Sequence, residues 1–167
     1  MRSVHPSTPA FQPGRHLEVL DEPVHDAQRD AEKLPEAAVC TDCGAVYQAG
    51  QWQWTSASAH ALQIRCPACR RIADGRPAGS LKIEGQYAQA HRDEIEQLVR
   101  AVEQREKTAH PLQRVMAVDD VNDAIEVSTT GIPLARAIGE ALLEAHEGKL
   151  LVDYDEDEGV VRARWVR

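Results

Sequence analysis

Apolar residues recur at helical spacing in two stretches of the second half of the chain. From Gln86 onward, with charged residues on the opposite face, the stripe consists of Ile95, Leu98, Val99 and Val102. This period predicts one helix from residue 86 to about residue 107, ended before Pro111. A second stripe follows Pro133 and ends near Gly148, with Thr129 or Thr130 as its N-cap; it consists of Leu134, Ile138, Ala141, Leu142 and Ala145.

Alternating apolar and polar residues predict strands on either side of the second helix. RVMAV and AIEVS flank DDVND, and KLLVDY and VVRARWV flank DEDEG, so each pair is typical of a hairpin. Residues 85–167 therefore predict a small helix-β-β-helix-β-β domain, in which an antiparallel sheet carries the helices on one face. The fold class is α+β.

Residues 1–36 have no sustained apolar period, and prolines interrupt them at Pro6, Pro9, Pro13, Pro23 and Pro35. Such a segment buries too little apolar surface to offset the entropy lost on ordering, so we expect a flexible N-terminal tail. The short stretch from His16 to Leu20 has a second interpretation, in which it docks locally on a neighbour or a partner.

Residues 37–84 predict a small, loop-rich unit that contains every cysteine of the chain. Its strand candidates are AVYQ, QWQW and SLKIEG. The cysteines form two CxxC pairs, in CTDCG and CPACR, separated by 22 residues (44–65). Two such pairs bring four thiolates together, and a closed four-thiolate shell is typical of one structural Zn²⁺. The predicted ligands are Cys40, Cys43, Cys66 and Cys69.

Two other cysteine chemistries compete with a zinc ribbon. A redox-active dithiol needs a single CxxC at a helix start within a βαβ pattern, and neither pair follows a clear parallel strand. An iron–sulfur cluster remains the other alternative. The spacing between the pairs slightly exceeds the about 15 to 20 residues usual for zinc sites, but an intervening loop is free to vary.

The charge of the chain argues against a general nucleic-acid clamp, because 19 Lys and Arg against 27 Asp and Glu give a net charge of −8. Local basic residues surround the second cysteine pair: Arg65, Arg70, Arg71 and Arg76. These guanidinium groups either bind phosphate or form a solvated face. Trp52 and Trp54 share one side of a candidate strand, where they either stack on bases or cover the core of the ribbon. Arg162 and Arg164 form a second basic face that can pair with Asp153.

No catalytic motif accompanies these features. The chain has no phosphate-binding GxxxxGK loop, no HExxH, no GxSxG and no cysteine outside the two pairs, so we expect a protein that is not an enzyme and has no small-molecule substrate. No apolar run approaches the roughly 18 to 20 residues of a membrane helix, and the first residues lack the apolar stretch of a secretory signal. We expect a cytoplasmic protein.

The order CTDCG, a tryptophan-bearing strand, RCPACRRIADGRPAG, HRDEIEQLV and EKTAHPLQRV resembles small bacterial proteins related to the Nmd-three family. That family contains the zinc-containing adaptor of the large ribosomal subunit in archaea and eukaryotes. The resemblance covers most of residues 38–167, including TTGIPLARAIGEALLEAHEGKL and the final VRARW. It implies a non-enzymatic, ribosome-associated protein with the four cysteines as zinc ligands. The large adaptors have two zinc sites, whereas this chain has one cysteine quartet.

Two functional hypotheses follow. In the first, the zinc ribbon and its arginines contact ribosomal RNA, while the α+β unit meets a ribosomal protein or factor and modulates ribosome stability or translation. In the second, the protein is a zinc-stabilised protein–protein adaptor, related to stress, that does not contact nucleic acid. Phosphate contacts make affinity fall steeply with ionic strength, so the salt dependence of binding separates the two.

Overall fold

The computed structural model describes residues 37–167 and the backbone of residues 15–19, in two sheets and four helices. The strands are β1 (Arg15–Val19), β2 (Ala38–Cys40), β3 (Val46–Gln48), β4 (Gln51–Gln53), β5 (Leu62–Ile64), β6 (Gly79–Glu84), β7 (Val115–Val121), β8 (Ala124–Thr129), β9 (Gly148–Asp155) and β10 (Val160–Val166). The helices are α1 (Pro67–Asp74), α2 (Gln86–Ala90), α3 (Arg92–Ala109) and α4 (Ile132–His146).

The smaller sheet carries the cysteines and has the strand order β4-β3-β2-β5. The predicted strands AVYQ and QWQW correspond to β3 and β4, which form a hairpin through Ala49 and Gly50, both at positive φ. Strands β2 and β5 have three residues each and pair in parallel. Their sequences are too short to show an alternating pattern, which explains why the sequence did not predict them.

The larger sheet has the order β1-β9-β10-β6-β8-β7 and is mixed, which corrects the expectation of an antiparallel sheet. The two predicted hairpins form, but β10 pairs in parallel with β6, and β1 pairs in parallel with β9. The predicted tail 1–36 therefore contributes one edge strand at 15–19, and its other residues lie outside those that the structure describes.

Strand β6 contains SLKIEG, which the sequence assigned to the ribbon, so the structure differs from the predicted ribbon of 37–84 at its end. β6 lies between β10 and β8 in the larger sheet, with Leu81 and Ile83 almost completely buried. The alternation of apolar residues predicted a strand correctly. It did not identify the sheet, because only the larger sheet has helices that bury this apolar face.

The helices provide the other half of the core. α4 packs against α3 and against β6, β9 and β10. The predicted helix of 86–107 is divided into α2 and α3, since His91 leaves helical geometry and its ring stacks on Tyr87 at 4.0 Å between centroids. The N-cap of α4 is Gly131 rather than Thr129 or Thr130, whose hydroxyls donate to backbone carbonyls instead. None of the helices within 37–167 has the length and apolarity needed to cross a membrane.

We predict that Gly79→Ala destabilises the larger sheet. A methyl group on Gly79 would lie 2.6 Å from both the Ala135 Cβ and the Thr129 Oγ1, where β6 meets α4. Overpacking of this kind lowers the free energy of unfolding by about 1–3 kcal/mol, which urea denaturation measures. The neighbouring variant Ser80→Ala adds no atom and is the control. Equal stability of the two variants would contradict this close contact.

Candidate metal centre

Four sulfur atoms converge in the smaller sheet. The Sγ atoms of Cys40, Cys43, Cys66 and Cys69 all lie within 4.8 Å of one another. The Cys43 and Cys66 sulfurs are 3.8 Å apart. A tetrahedral ion with metal–sulfur bonds of about 2.3 Å places its sulfurs about 3.8 Å apart, so this spacing suits a single ion of that size. The structure therefore brings together all four predicted ligands in an arrangement that can bind a metal.

The first cysteine pair lies in a tight turn at the end of β2. The Cys40 N–H donates to the Ala45 carbonyl at 2.8 Å, and the Gly44 N–H donates back to the Cys40 carbonyl at 3.0 Å. Gly44 has φ +78°, a left-handed conformation that residues with a Cβ adopt only at a cost. The glycine of CTDCG thus lets the chain reverse within four residues and directs both sulfurs to the same side.

The second pair begins helix α1, which the sequence did not predict. Cys66 is the N-cap, Pro67 occupies the first turn, and the Cys69 N–H donates to the Cys66 sulfur at 3.4 Å. The Cys66 N–H donates in turn to the Cys40 sulfur at 3.2 Å, which links the two pairs. A helix N-terminus offers free N–H groups to negative charge, so it suits thiolates.

Three of the four cysteines are buried. Cys66 is 0% exposed, Cys40 3% and Cys69 6%, while Cys43 is half-buried. The partly buried side chains of Trp52 and Leu112 pack against this cluster. A metal bound by the four sulfurs would leave no coordination position open to a substrate.

Arg114 is the residue of the site that sequence reasoning missed. Its buried guanidinium donates through Nη1 to the Cys69 sulfur at 3.3 Å, and through Nη2 to the sulfurs of Cys66 at 3.2 Å and Cys43 at 3.4 Å. Its Nε donates to the Pro111 carbonyl at 3.0 Å. An arginine directly before an apolar strand was the only signal in the sequence, and it has no fixed spacing from the cysteines.

The environment shifts the pKa values of the cysteine thiols in different directions. Burial raises the pKa of Cys66, and burial also raises the pKa of Cys69 although Arg114 acts in the opposite sense. At Cys40 burial is outweighed by hydrogen bonds, led by the Cys66 N–H, and the pKa is lowered to about 6. Burial acts to lower the pKa of Arg114, but the cysteine sulfurs outweigh it and the pKa is raised. Metal binding by this quartet must therefore release protons.

The predicted arginine cluster is divided by the structure. Arg71 is only 6% exposed and donates through Nη1 to the Arg76 carbonyl at 3.4 Å, so its place in a solvent-facing basic patch is corrected. Arg65 forms an ion pair with Asp42 at 2.7 Å between Nε and Oδ2. Arg70 and Arg76 are exposed. One of the four arginines is therefore buried, and the other three are exposed, with Arg65 paired to Asp42.

The two tryptophans also have different environments. Trp52 packs on the cysteine cluster, with its ring 5.6 Å from that of Tyr47, which is the core position considered as an alternative to base stacking. Trp54 is 43% exposed, and its indole N–H donates to the Lys107 carbonyl at the end of α3 at 2.7 Å. Trp54 thus connects the smaller sheet to the helical layer of the larger one.

The second predicted basic face is neutralised. Arg162 pairs with Asp155 at 2.8 Å and with Glu158 at 2.5 Å, and Arg164 pairs with Glu84, so neither takes the expected partner Asp153. Arg162 borders a groove of about 550 Å³, which Arg71, Arg76 and Glu158 also line. Of the two carboxylate partners of Arg162, Asp155 ends β9 and Glu158 lies in the β9–β10 turn, where they reduce the positive charge at this end of the sheet.

Comparisons with protein-family models, with curated proteins and with solved structures gave no match. The resemblance to the Nmd-three family is therefore left as an expectation from the sequence. What the protein does has to be argued from the site itself.

We predict that Cys43→Ser and Cys69→Ser each lose stoichiometric metal and unfold the smaller sheet, because ligand binding and folding are coupled in small metal-held units. Metal content by elemental analysis and far-UV circular dichroism measure the two effects. The control is His60→Ala, which changes an exposed residue of the same unit outside the quartet. Metal content equal to that of the unmodified protein in both serine variants would contradict the four-thiolate site.

Proposed function

We propose that the cysteine quartet binds one structural Zn²⁺. The observation that carries this proposal is the convergence of four sulfurs within 4.8 Å of one another in a buried site. Thiolates favour Zn²⁺ among the ions that prefer tetrahedral sulfur coordination. The second pair does begin a helix after the parallel-paired β5, contrary to the expectation from sequence, but a redox-active dithiol would not need the first pair at the same point. An iron–sulfur cluster would hold its cysteines farther apart around several metal atoms.

We further propose that the protein is a non-enzymatic binding protein. A closed four-thiolate shell has no position for a water molecule or substrate, and Arg114 covers three of the four sulfurs. The metal then holds the fold of the smaller sheet and does no chemistry of its own. Binding surfaces on that sheet and on α1 take the functional role.

The first candidate partner is the ribosome or RNA. Arg70 and Arg76 are exposed at helix α1 and just beyond it, close to the metal-held turn, and guanidinium groups on a rigid element suit phosphate. The resemblance of the sequence to relatives of the Nmd-three family supports the same partner. The large net negative charge of the chain confines any such contact to this local region.

The second candidate is a zinc-stabilised protein–protein adaptor. Burial of Arg71 removes one cation from the proposed phosphate surface, and Asp42 neutralises the charge of the exposed Arg65. Three large apolar side chains are instead exposed on the same unit, Leu62 at 49%, Ile72 at 44% and Trp54 at 43%. Exposed apolar residues on a rigid unit favour protein partners.

Sedimentation of the tagged protein from a gentle cell lysate through a sucrose gradient, at low and at high salt, tests the two candidates. Under the first, the protein travels with ribosomes or their large subunit at low salt and leaves them at high salt, because phosphate contacts are screened. Protein that stays at the top of the gradient under both conditions contradicts ribosome binding and favours the adaptor.

We predict that Arg70→Ala combined with Arg76→Ala weakens RNA or ribosome binding and leaves metal content intact. Each lost phosphate contact reduces the slope of log affinity against log salt by about 1, so the double variant should lose about 2. The control is Arg105→Ala combined with Arg136→Ala, which removes two arginines from α3 and α4. Binding by the Arg70/Arg76 variant that equals binding by the control would show that these arginines do not contact phosphate.

A further inference from the structure

We infer that Arg114 joins the cysteine-bearing unit to the larger sheet through the metal-bound sulfurs, so that metal occupancy fixes how the two units are positioned. This inference rests on the proposed zinc site. It assigns Arg114 as a positioning residue of that site, and it makes docking of the two units dependent on the metal.

The guanidinium of Arg114 is held firmly on the side of the larger sheet. Its Nε donates to the Pro111 carbonyl at 3.0 Å. Its backbone N–H donates to the Thr130 Oγ1 at 2.9 Å, and its carbonyl accepts from the Thr130 N–H at 2.9 Å. These bonds fix the segment before β7 to the segment after β8. The arginine is therefore directed at the sulfurs by the larger unit.

The sulfurs that accept its hydrogen bonds belong to the smaller unit. The Nη atoms contact three of them at 3.2 to 3.4 Å. The fourth sulfur, that of Cys40, accepts from the Cys66 N–H within the unit itself. The planar guanidinium group thus donates to sulfurs of both cysteine pairs at once, a geometry that the ammonium group of a lysine cannot reproduce.

Further contacts of the described residues also join the two units. None of the strands β2 to β5 pairs with the larger sheet. Trp54 donates one hydrogen bond to the Lys107 carbonyl, and Leu112 packs on the cysteine cluster from the segment that also carries Arg114. Along the chain, the units are joined twice, between β1 and β2 and between α1 and β6. The contact between guanidinium and sulfurs is the polar link that connects both cysteine pairs directly to the segment before β7.

The negative charge of the sulfurs makes the contact between Arg114 and the cysteines depend on the metal ion. A divalent metal bound by four thiolates keeps an excess of negative charge, and one buried guanidinium offsets part of it. Without the metal, hydrogen bonds such as the one from the Cys66 N–H to the Cys40 sulfur are left to hold the four sulfurs together, and the arrangement that compensates the buried guanidinium is weaker. We therefore expect metal removal to loosen the segment 110–115 as well as the smaller sheet.

Cobalt(II) in place of zinc tests the electrostatic part with the full-length protein. Hydrogen bonds to the thiolates lower the energy of sulfur electrons and raise the energy of the sulfur-to-cobalt charge-transfer band. We expect this band to move to longer wavelength in Arg114→Met and by a smaller amount in Arg114→Lys, with metal affinity lower by about 10- to 100-fold in the methionine variant. Arg105→Met, which changes an exposed arginine on α3, should leave both unchanged.

Amide hydrogen exchange tests the docking. In the unmodified protein, metal removal should abolish protection in residues 38–75 and reduce it in residues 110–115, whereas β8, β9 and β10 keep theirs. Metal-bound Arg114→Met should show the loss at 110–115 alone. Where Arg114→Met does not fold, Arg114→Lys provides the same comparison, because lysine keeps the positive charge and lacks only the planar arrangement of donors in the guanidinium.

The outcomes separate this inference from the proposed zinc site. An unmodified protein that takes up neither cobalt nor zinc overturns the zinc site and the inference together. An unmodified protein that binds metal, with Arg114 variants that match it in charge-transfer band and in exchange at 110–115, overturns the inference alone. A shifted band together with faster exchange at 110–115 supports it.

Discussion

Burial of a charged guanidinium against a group of sulfurs is the constraint on which the arrangement of this protein depends. Arg114 is 8% exposed, and removing one partner of a buried ion pair costs about 3–5 kcal/mol, a large share of the stability of a small domain. The sulfurs must therefore stay within hydrogen-bonding distance of the Arg114 guanidinium. This requirement brings three parts of the fold together: the segment 110–114, Thr130 directly after β8, and both cysteine pairs.

The features that could be predicted from sequence are those encoded over a few neighbouring residues. The CxxC pairs identify the four sulfurs, and the apolar period of α4 and the alternation in β9 and β10 identify those elements. Placement over longer distances could not be predicted. β6 has the pattern of a strand, but its sheet depends on the later strands β8 and β10, and Arg114 approaches Cys69 across 44 intervening residues (70–113) with no spacing rule to mark it.

The number of arginines in the sequence overstates the exposed basic surface of the protein, and the reason is physical. Arginine pairs readily inside a fold, because its planar fork satisfies several acceptors at once. Arg71 is buried, Arg65 and Arg162 bind carboxylates, and Arg114 binds sulfurs. A cluster of arginines near a cysteine pair therefore indicates the need for local compensation as readily as it indicates a nucleic-acid surface.

The smaller sheet has a small hydrophobic core, in which Ala38, Ala45 and Val46 are buried besides the cysteine cluster. Its buried cluster consists of Cys40, Cys66, Ala68 and Cys69, with Trp52 and Leu112 packed around it. Leu112 comes from the segment before β7, so part of even this small core is supplied by the other unit. With so little apolar burial, we expect the order of this unit to depend on metal binding by the four sulfurs and on Arg114. On that expectation, the exposed side chains on α1, among them Arg70 and Ile72, hold defined positions only while the sulfurs are held together.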